Sequence, residues 1–253
     1  MLPEERQNMI VQIVNDTGSA SVKDLSIRFS ITEDSIRKDL TALQKRGLLK
    51  KTYGGALKLE DEEAEQYVSQ RKGKYMPDKL KIAQKAVRLL KNDEVVFLDI
   101  STTSIEIAKL LKTSGLSLTV VTNMIDVMLA MAGDEYNRLI FIGGTFSEGK
   151  DGFVGALANR EISRYHFDKA FLGIGGASIE RNTAMTYTSE DATTKETIMK
   201  CSRNSYMLLE TRKFNKTGNF IYAALSDFSG AVLDRHLDVK QQTFFDRYGL
   251  DYI

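Results

Sequence analysis

The 253-residue chain has a single cysteine, Cys201, and only two histidines, His166 and His236, which lie far apart. One thiol cannot close a disulfide within the chain, which fits a reducing compartment. These three residues also lack the spacing of a metal site, so neither metal nor cofactor is expected. Cys201 is expected on a helix as a small buried hydrophobe. No stretch of about 18 apolar residues is present to cross a bilayer, and no apolar run at the N-terminus has the form of a secretory signal. A cytoplasmic protein without membrane contact is expected. Tandem repeats and low-complexity tracts are absent as well. The net charge is only +1, so any strongly charged surface has to be local and offset elsewhere.

What is present divides into a small basic part and a larger part of alternating helices and strands. With 42% apolar residues, the chain can fill two cores. The expected division is a small domain over residues 1–58, a linker over 59–75 and a larger domain over 76–253. The linker follows from Asp61, Glu62, Glu63 and Glu65, which make an acidic stretch poor in apolar residues.

The small domain reads as helices over 22–29 and 33–46, joined by a tight turn, then a basic hairpin around Lys50, Lys51, Tyr53, Gly54 and Gly55. On the second helix Ile36, Leu40 and Leu43 fall at i, i+4 and i+7, so one face is buried. Turning about 100° per residue points Asp34, Lys38, Thr41 and Lys45 outward, with Ser35 and Arg37 on the flanks. Thr32 suits the N-cap, where its hydroxyl accepts a first-turn amide. Val22, Leu25 and Phe29 line the earlier helix, and Met9, Ile10, Ile13 and Val14 a third. Three such helices make one small core. From Arg37 to Lys58 seven basic residues stand against one acid, Asp39, a net +6. That concentrates charge where phosphates of double-stranded DNA would lie, and a winged helix-turn-helix docks there. The candidate DNA contacts are Thr32, Asp34, Ser35, Arg37, Lys38, Thr41, Lys45, Lys50, Lys51 and Tyr53. Asp39 lies at the edge of the buried stripe and is expected to pair internally with a basic residue.

From Pro77 onward helices and strands alternate, which predicts a mainly parallel sheet covered by helices, an α/β fold. Strands are expected over 95–100, 118–122, 139–142, 170–174, 206–209 and 220–225. Helices are expected from Pro77 through Leu90 and over 103–111, 125–131, 153–165 and 190–203. In such sheets ligands bind beyond the carboxyl ends of the strands. There the sequence places Asp99-Ile100-Ser101-Thr102-Thr103, Thr122-Asn123, Gly143-Gly144, Gly175-Gly176 and Glu210-Thr211-Arg212-Lys213. Hydroxyls and amides at a helix start cradle anions, and glycines let backbone approach a ligand. Taken together these suit a phosphate with a polyol: amides and Lys213 for the phosphate, Asp99, Asn123 and Glu210 for hydroxyls.

Both halves carry a resemblance. The run Ile31-Thr32-Glu33-Asp34-Ser35-Ile36-Arg37-Lys38-Asp39-Leu40, with Leu43, Gly47 and Gly54-Gly55, resembles the DNA-binding signature of the DeoR family of bacterial transcriptional regulators. The larger domain resembles that family's sensor domain, which is related to ribose phosphate isomerases. Asp99, Ser101, Thr102 and Thr103 match its Asp-x-Gly-Thr-Thr loop, Thr122-Asn123 its Thr-Asn, Gly143-Gly144 its Gly-Gly, and Glu210 with Lys213 its Asp-x-x-Lys. Glu190-Asp191-Ala192 and Lys195 resemble a further segment that borders its pocket. The resemblance implies a phosphorylated sugar as effector. The DNA-binding signature departs at Thr32, Ser35, Lys38 and Tyr53 by swaps that keep polarity or charge. The sensor domain departs at two positions: Ser101 replaces a glycine, which strains the loop if φ is positive there, and Glu210 is longer than the family's Asp.

The reading is a ligand-controlled repressor of a sugar-uptake or sugar-catabolism operon, with no catalytic residues, acting as a homodimer or homotetramer on repeated half-sites. Two alternatives stay open: a phosphosugar isomerase with an added DNA-binding domain, and a DNA-binding protein whose second domain only oligomerises. Against catalysis, the stretch after the fourth strand holds no carboxylate before Glu180, where an isomerase needs a base.

Overall fold

A computed structural model describes residues 3–46, 48–57 and 67–253. The chain forms two compact units, residues 1–66 and 67–253. Gly47, Lys58 and residues 59–66 of the expected linker lie outside the described residues.

The first unit contains α1 (Pro3–Thr17), β1 (Ser19–Ser21), α2 (Val22–Phe29), α3 (Glu33–Lys45), β2 (Lys50–Thr52) and β3 (Gly55–Leu57). The strands pair antiparallel in the order β1-β3-β2, and Tyr53-Gly54 form the hairpin tip. Ile10, Val14, Val22, Leu25, Phe29, Ile36, Leu40 and Leu43 close one core with Leu49 and Ala56. Both helix starts follow from side-chain caps: Ser21 accepts the Asp24 amide at 3.0 Å and Thr32 the Ser35 amide at 3.3 Å. Asp39 is buried and takes Arg6 Nε at 2.7 Å and Gln7 Nε2 at 2.9 Å, so the expected internal partner is Arg6 on α1.

The second unit begins at Tyr67. Its elements are α4 (Val68–Arg71), α5 (Met76–Arg88), β4 (Val95–Leu98), α6 (Thr102–Leu111), β5 (Thr119–Thr122), α7 (Ile125–Met131), β6 (Arg138–Phe141), β7 (Thr145–Phe146), β8 (Phe153–Val154), α8 (Ala156–Ile162), β9 (Phe167–Gly173), β10 (Gly176–Ser178), β11 (Thr183–Thr186), α9 (Ser189–Lys200), β12 (Ser202–Leu209), β13 (Phe220–Ala223), β14 (Gly230–Leu233), α10 (Val239–Tyr248) and β15 (Asp251–Tyr252). Seven strands make a wholly parallel sheet, β15-β14-β12-β9-β4-β5-β6. Its central strands are apolar on both faces, because a core covers each side. Among the described residues no helix is long and apolar enough to cross a membrane.

The structure corrects several expected elements. The strand around residues 220–225 is not in the main sheet; it pairs antiparallel with β11, which pairs with β10 in a separate three-stranded sheet. Phe220 and Ile221 remain exposed there, as suits a one-sided edge strand. The place beside β12 goes to β14, whose short Gly-Ala-Val-Leu run gives little periodic signal. The helix expected over 153–165 is only Ala156–Ile162, since Phe153 and Val154 are drawn into the β7–β8 ladder. The C-terminal helix α10, not expected, starts at a reciprocal Asp238–Gln241 cap and buries Phe244 and Phe245. Cys201 lies at the C-cap of α9, partly buried, and burial pushes its thiol up.

Candidate functional site

On α3 the outward residues expected from periodicity share one surface. Asp34, Arg37, Lys38, Thr41, Ala42 and Lys45, with Lys51 from the wing, line a shallow depression of about 520 Å³. Lys51 Nζ donates to Thr41 Oγ1 at 2.7 Å, which tethers the wing to the helix. Thr41 in turn donates to the Arg37 carbonyl. Arg37 is held by Glu33 at 2.7 Å and Asp34 at 2.9 Å, both in exposed pairs that water screens. Lys38 and Lys45 are exposed, and so is the Tyr53 tip of the wing. Lys50 is exposed on β2. Thr32 and Ser35 join hydroxyls at 3.0 Å at the N-terminus of α3.

In the second unit the strand order brings residues far apart in sequence to one edge of the sheet. Asp99 follows β4 and is 1% exposed. The Gly173 amide at the end of β9 donates to both of its oxygens at 3.0 Å, and Ser104 donates to Oδ1 at 3.3 Å. The Lys195 ammonium, from α9, forms a close ion pair with Asp99 Oδ2 and lies 3.7 Å from Asp191. Burial pushes the Asp99 carboxyl up against the pull of Lys195. Burial draws the Lys195 ammonium down, but Asp191 and Asp99 outweigh it, so Lys195 keeps its proton. The Tyr222 ring stands 5.9 Å from Lys195 Nζ, and its buried hydroxyl has no hydrogen-bond partner.

One strand over, Lys213 donates to the Ile174 carbonyl at 2.8 Å and faces Glu210 Oε1 at 3.1 Å. Arg212 holds the other Glu210 oxygen at 2.8 Å and stacks on Tyr75 at 3.6 Å. Burial draws Lys213 down to about 8 against the pull of Glu210, with Arg71 and Arg212 adding to the fall. Burial pushes the Glu210 carboxyl up, but Lys213 and Arg212 bring it below its usual range. Asp234, after β14, accepts the Thr211 amide at 2.7 Å and so anchors this loop.

Ser101 is unstrained: its φ is −149°, and its hydroxyl caps α6 by accepting the Ser104 amide at 3.0 Å. A side chain at this position therefore starts the helix, and Thr102 and Thr103 follow in its first turn, both buried. Thr122 is spent on the fold, donating to the Leu98 carbonyl at 2.7 Å and accepting the Met124 amide. Asn123 donates to the Phe153 carbonyl, while its buried Oδ1 has no partner. Gly143 is exposed; Gly144, Gly175 and Gly176 each lie where a Cβ would meet Ala158, the Met185 carbonyl or the Lys216 carbonyl at 2.9 Å or less. Glu190 is not brought to the cluster; it is exposed and takes the Ser189 hydroxyl at 2.8 Å, while its neighbour Asp191 approaches Lys195. Glu180, the nearest acid after β9, is exposed and paired with Lys240.

Sequence reasoning passed over Arg71 and Tyr222, each of which is placed by tertiary contacts, and named Asp191 only as part of a segment bordering the pocket, although it stands i, i+4 to Lys195 on one helix.

A small winged helix-turn-helix unit followed by a parallel α/β unit with buried ionic groups at its strand ends is the build of a DNA-binding regulator with a sensor domain. Residues 6–62 match the DeoR-like helix-turn-helix domain and residues 75–235 the DeoR C terminal sensor domain, so the chain belongs to the DeoR family of transcriptional regulators. It is 31% identical over 246 residues, 97% of each chain, to the L-fucose operon activator of Haemophilus influenzae. It is 26% identical over 250 residues, 98% of this chain and 97% of the relative, to the lactose phosphotransferase system repressor of Lactococcus lactis. Among solved structures, ribose 5-phosphate isomerase A from Methanocaldococcus jannaschii superposes with a TM-score of 0.40 at 16% identity, over 54% of this chain and 53% of that one. A likeness of that size carries no argument about activity. The chain is a regulator and not an enzyme, and the isomerase alternative is set aside.

Proposed function

We propose that this regulator represses an operon for the uptake or breakdown of a sugar and is controlled by a phosphorylated form of that sugar. The observation that carries the reading is the pair of buried lysines at the carboxyl edge of the sheet, Lys195 of α9 against Asp99 after β4 and Lys213 after β12 against Glu210. Buried ammonium groups are costly without partners. Here Asp99, Asp191 and Glu210 hold them in place, so the carboxylates serve to position cations more than to bind sugar hydroxyls. Lys213 and the free amides of Thr102 and Thr103 face the phosphate. Asn123 Oδ1 and the Tyr222 hydroxyl, both buried and unpartnered, are free to bind sugar hydroxyls.

DNA is read by the outer face of α3, from Thr32 to Lys45, and the wing carrying Lys50, Lys51 and Tyr53 grips the flanking backbone. A switch requires the effector to bind one arrangement of the DNA-binding units better than another. Dimers or tetramers on repeated half-sites supply such arrangements.

Thermal melting against matched panels of phosphorylated and free sugars, with operator binding followed in parallel, tests the reading. A member at about 100 times its dissociation constant adds roughly 2.7 kcal/mol to the unit that binds it. Stabilisation by one phosphosugar, with operator release at the same concentration, is the expected result. Stabilisation by none of them would overturn the effector assignment and leave the DNA-binding one.

A further inference from the structure

We infer that Thr41 and Ala42, on the outer face of α3, select a thymine in the operator by packing on its 5-methyl group. The inference rests on the DNA-reading role given to α3 above and names a base that this face accepts.

Thr41 and Ala42 are half-buried and make the floor of the depression between α3 and the wing, while Asp34, Lys38 and Lys45 stand exposed around them. The floor has no hydrogen to donate to a base. Thr41 Oγ1 lies 2.7 Å from the Arg37 carbonyl and 2.7 Å from Lys51 Nζ. A carbonyl only accepts and an ammonium only donates, so the single hydroxyl proton goes to Arg37 and a lone pair to Lys51. Thr41 therefore has no proton left for a guanine or thymine oxygen, or for a phosphate. The backbone amides of a helix interior are already bonded to the preceding turn. Lys51 keeps two further protons, which suit the DNA backbone beside the wing. What Thr41 and Ala42 offer is one methyl group each.

Every base edge in the major groove carries hydrogen-bonding atoms, and thymine alone adds an apolar group, its 5-methyl. Guanine, adenine or cytosine set over this floor strips water from a polar edge and gains no donor in return. Thymine instead buries a methyl against two others. The surrounding charges leave that placement open. The exposed Asp34 carboxylate repels a phosphate, which keeps the backbone off this end of the helix. Lys38 and Lys45 have no acid partner among the described residues, so they serve the acceptors on either side.

The test uses the full-length protein and the best double-stranded DNA selected from a randomised library. Each thymine in that duplex is replaced in turn by deoxyuridine, which lacks only the methyl. Affinities are read by fluorescence anisotropy for wild type, Thr41→Ser and Thr41→Val. Serine keeps both hydrogen bonds and loses the methyl; valine keeps a methyl and loses both bonds. For wild type, deoxyuridine is expected to weaken binding about 3- to 10-fold at one position in each half-site, as for one or two buried methyl groups. Thr41→Ser is expected to discriminate less than about 2-fold at that position, and Thr41→Val as wild type does. Indifference of wild type to every thymine methyl, or a Thr41→Ser protein as sensitive as wild type, overturns the inference and leaves DNA binding standing. Loss of discrimination in Thr41→Val overturns it too, by assigning the selection to the hydroxyl. Selection of no sequence above random DNA overturns the reading role of α3 and this inference with it.

Discussion

Lys213 Nζ donates to the Ile174 carbonyl at 2.8 Å and lies 3.1 Å from Glu210 Oε1, so one ammonium ties the end of β9 to the loop after β12. Replacing it by alanine leaves Glu210 paired with Arg212 and the fold largely intact. The expected loss is in sensing: for Lys213→Ala, the ratio of operator affinities measured without and with phosphosugar falls to about one. Release of DNA at wild-type phosphosugar concentrations would refute the assignment.

The same lysine sets a pH window. Its folded-state value is drawn down to about 8, so above that pH the empty site is neutral at Lys213 and binding a dianion must take up a proton. Affinity then falls about tenfold per pH unit. Below about pH 6 the phosphate itself becomes a monoanion. Calorimetric titration from pH 5 to 10 is expected to show tightest binding between about 6 and 8. A flat profile through pH 9 would place Lys213 away from the phosphate.

On the DNA face, Arg37 must leave its exposed acid partners, whereas Lys38 has no acid partner among the described residues. Alanine at either is expected to weaken operator binding by about 1–3 kcal/mol where it contacts a base. If Lys38 meets only phosphate, the slope of log affinity against log salt drops by about one instead. Fluorescence anisotropy at several salt concentrations separates the two, and unchanged affinity and slope would remove the residue from the interface.

Gly173 has no room for a methyl group, because its Cβ would stand 2.4 Å from Ser101 Cβ. Gly173→Ala is expected to cost about 1–3 kcal/mol by overpacking. The shift falls on the amide that holds Asp99 and hence on Lys195, so ligand-induced stabilisation shrinks as well. Melting with and without phosphosugar reads both effects together.

Asp39 is buried between Arg6 and Gln7. Its removal strands a mostly buried guanidinium, and Asp39→Ala is expected to destabilise the first unit by about 2–3 kcal/mol. Urea unfolding monitored at that unit, with the second unit's transition unmoved, is the check. A change under about 0.5 kcal/mol would mean that Arg6 finds water instead.

What the sequence determined by itself is what near neighbours decide. The stripe Ile36, Leu40 and Leu43 and the cap at Thr32 depend on spacings of three to seven residues, and both stand in the structure as read. Asp39 was legible as an internal partner because it lies at the edge of that stripe. The strand ends of the parallel sheet were legible too, since short apolar runs bounded by polar residues mark them, and Asp99, Asn123, Glu210 and Lys213 follow directly. Tertiary structure alone decided which of these meet. Lys195 reaches Asp99 across 96 residues and Lys213 reaches Ile174 across 39, because β9 lies between β4 and β12 in the sheet. Strand order is set by how whole layers pack, and no local pattern encodes it. The same holds for β13, whose alternation suited any sheet, and for Gly175 and Gly176, which close backbone approach accounts for. It holds most of all for Arg71, which the buried Val68 on the same helix and the Lys79 bond to its carbonyl at 2.8 Å hold in place, in a segment that composition alone reads as linker.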